Sequence, residues 1–260
     1  SGMVLIPQRA AIYQLVAETL IREWRLSQSG AHRSAVMEHE AVALLGELAY
    51  WLHSSRANGQ LSERELREIL GHIWGGMHPE ATPEQVQQAI GDFLGTLRLH
   101  SGVLVELAPQ RYGFAHQGLQ EYFAARYMVS SFRRAAQRIR EHLHDPRWSE
   151  VIALAVGFTS LRSQDDASDL IETAILARGA RAVQFGHASS PFESLLKRDL
   201  FFAARLLVSG VEASPELTRL VVRQLMQLWL EGERDCPGRF HLIFDTAGRY
   251  LMNLDGTSAS

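Results

Sequence analysis

A lone cysteine, Cys236, is all that the 260 residues contain, so no internal disulfide can staple this chain, and a reducing compartment is the natural reading. Positive charge is not in excess either. The 26 Lys+Arg face 29 Asp+Glu for a net charge of −3, which leaves no global field to draw nucleic acid. No uninterrupted apolar run approaches the roughly 20 residues a membrane-crossing helix needs. Nor does any segment join a basic start to an apolar middle in the manner of a secretory leader. Together these absences read as a cytoplasmic protein with no membrane partner. Missing too is any Gly-x-x-x-x-Gly-Lys-Ser/Thr run, so no loop of backbone N–H groups is available to cradle phosphates beside a magnesium ion. Autonomous nucleotide hydrolysis is therefore not expected, and no catalytic residue is assigned. Ser1-Gly2 ahead of Met3 reads as a remnant of tag removal.

Helical periodicity dominates what is there. Ile12, Leu15, Val16, Thr19 and Leu20 form one stripe, with Pro7 placed to start or precede the helix. Residues 27–34 read as a polar loop. A second helix over about 39–56 carries Val42, Leu45, Ala49 and Leu52, and Asn58-Gly59 ends it with turn chemistry. Ser62 with Glu65 is a capping box, followed by Leu66, Ile69, Leu70 and Ile73 on one face. Thr82-Pro83-Glu84-Gln85 repeats the device, with proline where its missing N–H is harmless, and Val86, Ala89, Ile90, Phe93, Leu94 and Leu97 follow. After Gly102 the period drops to two. Residues 103–107 and 111–115 predict an antiparallel hairpin across Ala108-Pro109-Gln110. Three helices and a hairpin, in that order, predict a winged helix.

From Gly118 onward the pattern is helical again. Asp145-Pro146 caps a helix carrying Trp148, Val151, Ile152 and Ala155, and Ser214-Pro215 caps another carrying Leu217, Leu220, Val221, Leu225 and Leu228. Residues 169–177 and 195–208 are also predicted helical, 240–244 is the one strand candidate, and 255–260 reads as a frayed tail. The fold class is all-α with a small β-hairpin: a winged-helix domain followed by a helical region of HEAT or armadillo type. The domain reading is a helical linker over 3–38, the winged helix over 39–130 and the helical repeat over 131–260. Trp24, Trp51, Trp74, Trp148 and Trp229 are expected to anchor cores.

The most informative stretch is Tyr112-Gly113-Phe114-Ala115-His116 followed by Gln120-Glu121-Tyr122-Phe123-Ala124-Ala125. A short aromatic strand ends in a histidine and a helix begins at once, a junction where an imidazole can present a nitrogen to a ligand. This Phe-x-His-x-x-x-Gln-Glu-Tyr-Phe-Ala-Ala run resembles the winged-helix signature of NACHT-type signalling ATPases, the class that includes the NOD-like receptors. Other landmarks stand in the order that family would have them. Leu5-Ile6-Pro7-Gln8-Arg9 with Ile12-Tyr13 and Trp24 resembles the run after the ATPase core, and Leu48-Ala49-Tyr50-Trp51-Leu52-His53 is similar to the first winged-helix element. Ser101-Gly102-Val103-Leu104-Val105 resembles the entry to the wing, and Trp148-Ser149-Glu150-Val151-Ile152 the helical region beyond it. The likeness spans about residues 5–157.

The resemblance implies that an ATPase core precedes this domain in a longer parent chain, that ADP or ATP is bound there and not by this chain alone, and that the parent self-associates. It also implies that His116 contacts the ADP phosphates and helps hold the closed state, a contact that is latent here. Imidazole N–H is a competent donor to phosphate oxygen. The plainer reading of His116 is that it caps the helix or bonds a backbone carbonyl. Phe114, Gln120, Glu121, Tyr122 and Phe123 support the motif by packing, with Gln120 or Glu121 placed to bond the wing backbone.

Other constellations are weaker. The third winged-helix element offers Glu84, Gln85, Gln87, Gln88 and Asp92 with one arginine, Arg98, which disfavours nucleic acid as a partner because phosphate neutralisation needs several cations on one face. Arg133, Arg134, Arg138 and Arg140, with Arg126 and His142 nearby, form the strongest basic cluster, a patch for an anionic partner or a solvated helix face. No metal site is expected, since His39-Glu40 lacks a histidine four residues on and His72 and His78 flank a glycine-rich break. Cys236, in an Asp-Cys-Pro-Gly turn, reads as an inert thiol. Three functional readings follow: a regulatory part of a NACHT ATPase coupling nucleotide state to oligomerisation and partner recognition, with innate or antiphage defence implied by the resemblance; a helical interaction scaffold with no nucleotide role; and a winged-helix DNA binder.

Overall fold

The computed structural model describes residues 6–26, 35–55, 59–100, 102–184, 186, 190–235 and 241–257. Its elements in chain order are α1 (Ile6–Leu26), α2 (Glu38–Ser55), β1 (Leu61–Ser62), α3 (Glu63–Met77), α4 (Pro83–His100), β2 (Leu104–Ala108), β3 (Arg111–Phe114) and α5 (Gln117–Met128). Then come α6 (Phe132–His142), a 3-10 turn (Pro146–Trp148), α7 (Ser149–Arg162), α8 (Gln164–Leu170) and a π-helical turn (Ile171–Ile175). The last are α9 (Gly179–Gln184), α10 (Glu193–Leu196), α11 (Arg198–Val208), α12 (Pro215–Asp235) and α13 (His241–Thr257). Two compact units result: Ala11–Ser130, and Ser131–Ser260 together with Ser1–Ala10. The predicted linker is thus divided, because α1 from Ala11 onward packs within the winged-helix unit, where Trp24 meets Phe93 edge-on at 5.4 Å.

In the first unit both predicted caps form. Ser62 Oγ accepts the Glu65 N–H at 3.3 Å while Glu65 Oε2 accepts the Ser62 N–H at 2.8 Å, satisfying two orphan donors at the start of α3. Gln85 Oε1 accepts the Thr82 N–H at 2.8 Å in the same way. The sheet is antiparallel with order β1-β3-β2 and so has a third strand beyond the predicted hairpin. Leu61 pairs with Tyr112 and Leu104 with Phe114, and a bulge sits between Glu106 and Ala108. Pro109 and Gln110 make the wing turn. Gln110 has φ 58 and its N–H donates to Glu106 Oε1 at 2.7 Å, as expected of a turn with proline first and a positive φ second. Helix α5 buries Leu119, Tyr122, Phe123, Ala124 and Ala125. It lies close to α2 at Gly46, where an added Cβ would sit 3.3 Å from Phe123 O.

The apolar stripe read along α1 is not the face that meets the core. Ala10, Ala17, Ile21 and Trp24 are buried, whereas Ile12, Leu15 and Val16 of that stripe are 54%, 66% and 39% exposed. Both sides of α1 are apolar, and periodicity alone marks a stripe without saying which stripe meets the core.

Among its described residues the second unit has helices and no strand, with helices of 4 to 21 residues packed largely on neighbours in sequence. α7 buries Val151, Ile152, Ala153, Leu154, Ala155 and Val156, an apolar surface nearly all round that marks a central helix. Gly157 lets Ile6 approach: an added Cβ would lie 2.8 Å from Ile6 Cγ2. Asp145 caps the turn before α7 by accepting the Arg147 N–H at 3.0 Å. Four expectations are corrected here. Residues 241–244 are helix, not strand, and α13 continues to Thr257 where a frayed tail was expected. Trp229 is 40% exposed and anchors no core, unlike the buried Trp24, Trp74 and Trp148. The segment predicted as one helix over 195–208 is broken at Lys197, which has φ 54. Cys236, Asn58, residues 27–34 and residue 240 lie outside the described residues. Among those described, no helix is long and apolar enough to cross a membrane.

Candidate functional site

His116 sits where the wing becomes α5. β3 ends at Phe114, Ala115 N–H donates to Val103 O at 2.9 Å, and His116 stays extended at φ −144, ψ 137. That geometry makes it the N-cap. Its Nδ1 accepts the Gly118 N–H at 3.0 Å, and its carbonyl accepts from Leu119 N at 3.0 Å. Gly118 leaves room for Tyr13 beside it: an added Cβ would stand 2.1 Å from Tyr13 Oη and displace that ring. An Nδ1 that accepts carries no proton, so the ring proton of this arrangement is on Nε2. His116 is exposed, and among the described residues no group engages Nε2. Capping and an outward N–H donor are therefore compatible in one ring.

The rest of the motif builds the platform. Phe114 is 5% exposed and its ring lies 5.8 Å from Phe123, which Tyr122 meets edge-on at 5.1 Å. Arg126 Nη1 donates to Tyr122 Oη at 3.3 Å, and burial, partly offset by Arg126, raises the Tyr122 pKa. Gln120 Oε1 would meet a Cβ at Gly59 at 3.1 Å, and Glu121 accepts from Gln117 Nε2 at 2.8 Å one turn earlier. The expected bond from this pair to the wing is not among the contacts seen for Gln120.

The four-arginine cluster is not one surface. Ala135, Ala136 and Ile139 set the buried face of α6, so Arg133 and Arg134 are exposed while Arg140 borders the core. Arg140 Nη1 donates to Ala174 O and Ile175 O, each at 3.3 Å, and lies 3.7 Å from Asp199 Oδ2. It closes the carbonyl end of the π-helical turn. Arg138 is half-buried, and His142 stacks on Trp148 at 3.9 Å.

Two clusters escaped the sequence because their members are far apart in the chain. Asp199, 2% exposed, accepts from Ser190 Oγ at 2.8 Å and Ser190 N at 3.2 Å, and His144 Nε2 lies 2.7 Å from both Asp199 Oδ1 and Ser190 Oγ. This is not a nucleophile relay. Serine bonds the carboxylate directly, and one imidazole nitrogen serves both partners. In the winged helix, Glu40 accepts the Met37 N–H at 2.7 Å and lies 2.6 Å from His78 Nε2, while His78 Nδ1 faces Glu80 at 3.2 Å. The Glu40 bond raises the His78 pKa, against slight desolvation. Burial works to raise Glu40, but the Met37 N–H and His78 outweigh it and the net shift is downward. Among the described residues no group of three or more His, Cys, Asp or Glu is arranged to hold a metal ion.

The outer face of α4 presents Glu84, Gln85, Gln87 and Gln88, with Gln88 Nε2 bonded to Asp92 at 3.0 Å. No cation stands among these residues to meet a phosphate backbone.

The order α2-β1-α3-α4-β2-β3 with sheet order β1-β3-β2 is that of a winged helix, and the histidine sits just beyond its wing. Residues 9–128 match the family model described as the winged helix-turn-helix domain C-terminal to NACHT. No curated protein and no solved structure matches the chain. Over residues 9–128, the chain is similar to the winged-helix domain that follows NACHT.

Proposed function

We propose that this chain is the regulatory part of a NACHT-type signalling ATPase, in which His116 reads the nucleotide held by the NACHT module and the helical unit recognises a partner. The observation that carries the reading is an exposed imidazole at the N-cap of α5, its Nδ1 already committed and its Nε2–H open, in a domain that matches this family model. The N-terminus of α5 adds positive partial charge at the same place, so an ADP phosphate meets two favourable partners. Loss of ADP removes both contacts, releases the winged helix to rotate, and allows the parent to self-associate, a switch driven by differential contacts in two states. ATP turnover belongs to the NACHT module, since the one lysine here, Lys197, stands in no phosphate-binding loop. The setting that fits is cytoplasmic defence signalling.

A scaffold reading has its own support. A groove of about 660 Å³ between α11, α12 and α13 is lined by Val222, Met226, Trp229, Leu251 and Met252. Polarizable methionines beside an exposed tryptophan suit an adaptable protein contact.

The test is calorimetric titration of ADP into this chain and into the chain joined to its upstream NACHT module. ADP binding by the joined chain alone, weakened at least tenfold by His116→Asn, supports the switch. Binding that ignores His116→Asn overturns it in favour of the scaffold.

A further inference from the structure

α1 is a helix with two apolar faces and only one of them used. Ala17, Ile21 and Trp24 pack inward, while Ile12 (54% exposed), Leu15 (66%), Val16 (39%) and Leu26 (69%) run along the opposite side. The spacings from Ile12 are three, four and fourteen, which keep them within one stripe over the length of the helix. A helix apolar on both sides is normally sandwiched. Contiguous exposed apolar surface of this kind marks a contact with another body, whereas scattered exposed residues need no explanation.

Two observations say what that body is. The family description puts a NACHT module ahead of this domain, and α1 is the first helix of the matched segment. Beside the stripe, a groove of about 750 Å³ runs between α1, α2 and α5, lined by Leu15, Arg22, Arg25, His39, Val42 and Arg126, with Glu18 and Glu38 on its wall. Arg25 is 3.7 Å from Glu38 and Arg126 bonds Tyr122 Oη, but no described residue pairs with Arg22. The seat is apolar along its length and cationic along one edge. It fits an amphipathic helix with apolar residues every three to four positions and a carboxylate on the flank that meets Arg22.

We propose that the Ile12-Leu15-Val16-Leu26 face of α1 is the docking seat for a helix of the preceding NACHT module, with the groove beside it receiving that helix's acidic flank. The proposal rests on the reading that a NACHT module precedes this domain, and it is independent of His116 as a nucleotide contact.

The test titrates the separately produced NACHT module of the same gene into the 260-residue chain, with and without ADP. Leu15→Glu is expected to weaken Kd at least tenfold with Tm unchanged, because position 15 is outside the core; Leu15→Ala, as a milder variant, weakens it severalfold. Equal Kd for wild type and Leu15→Glu overturns the seat, as does failure of the wild-type chain to bind the module. A concentration-dependent dimer of the chain alone that Leu15→Glu abolishes also overturns it, since the occupant is then a second copy. Docking lost in Leu15→Glu but untouched by ADP and by His116→Asn keeps the seat and removes the nucleotide reading. Docking strengthened by ADP through His116 but indifferent to Leu15→Glu does the reverse.

Discussion

His116 Nδ1 accepts the backbone N–H of Gly118 at 3.0 Å, so the residue read as a ligand contact is also the N-cap of α5. The two roles separate by substitution. His116→Ala removes the cap acceptor and is expected to destabilise the winged-helix unit by about 1 kcal/mol. Asparagine is a strong N-cap residue, so His116→Asn is expected to stay within a few tenths of a kcal/mol of wild type. Chemical denaturation of both variants checks this. Equal losses for the two would show that the ring is held by more than its cap bond.

The Glu40–His78–Glu80 clamp predicts a pH window. Both ring nitrogens of His78 face carboxylates, and only the imidazolium donates to both at once. His78 is raised from its ordinary 6.5, so its contribution is full below that value and is lost as pH rises through the folded-state pKa. Glu40 is lowered from 4.5, so its contribution is present above that value and is lost as pH falls through its depressed pKa. The clamp is therefore fully formed between about 4.5 and 6.5 and weakens on either side. Thermal unfolding of wild type and His78→Gln across pH 4 to 8 should differ most inside that window; a constant difference would refute the clamp.

What was legible in the sequence was local. Ser62 with Glu65, Thr82 with Gln85, and the reversal at Pro109-Gln110 each specify their geometry within four residues, and each forms as read. β1 was invisible because it is two residues long and lies at the edge of a capping box. Periodicity marks the α1 stripe but not the side that meets the core, since Ala10 and Ala17 are weak signals against Leu15 and Val16. Arg140 looked like a surface charge because its partners, Ala174 and Ile175, are more than thirty residues away. The same distance hid Asp199 from His144 and Glu40 from His78. At the candidate site the histidine and its aromatic platform were legible from the motif, but not the division of labour between its two ring nitrogens.

Gly113, inside the motif, tests how tightly the wing is held. An added Cβ would lie 2.6 Å from Gly59 O and 2.7 Å from Leu107 Cδ1. Leucine can move, but the Gly59 carbonyl is backbone and cannot without disturbing the chain that leads into β1. Gly113→Ala is expected to destabilise the unit by about 2 kcal/mol, in the range for overpacking. Gly102→Ala makes a useful contrast. It meets nothing within 4 Å, so only its positive φ of 61 opposes alanine, and the expected loss is about 1 kcal/mol. Urea midpoints of the two variants decide the order.

The arginines of α6 should divide by what they touch and not by their spacing. Arg133 and Arg134 are exposed, and replacing either by alanine is expected to change stability by less than about 0.5 kcal/mol. Arg140 donates to the carbonyls of Ala174 and Ile175 and stands 3.7 Å from the buried Asp199 carboxylate. Arg140→Ala leaves those acceptors short of a charged donor, with an expected loss of about 2 kcal/mol or more. Arg140→Lys keeps the charge but not the planar fork that reaches two carbonyls together, so it should recover only part of the loss. Denaturation monitored on the helical unit gives the ranking. If Arg140→Ala proved as mild as Arg133→Ala, the π-helical turn would not depend on this side chain, and the four arginines would again read as one surface.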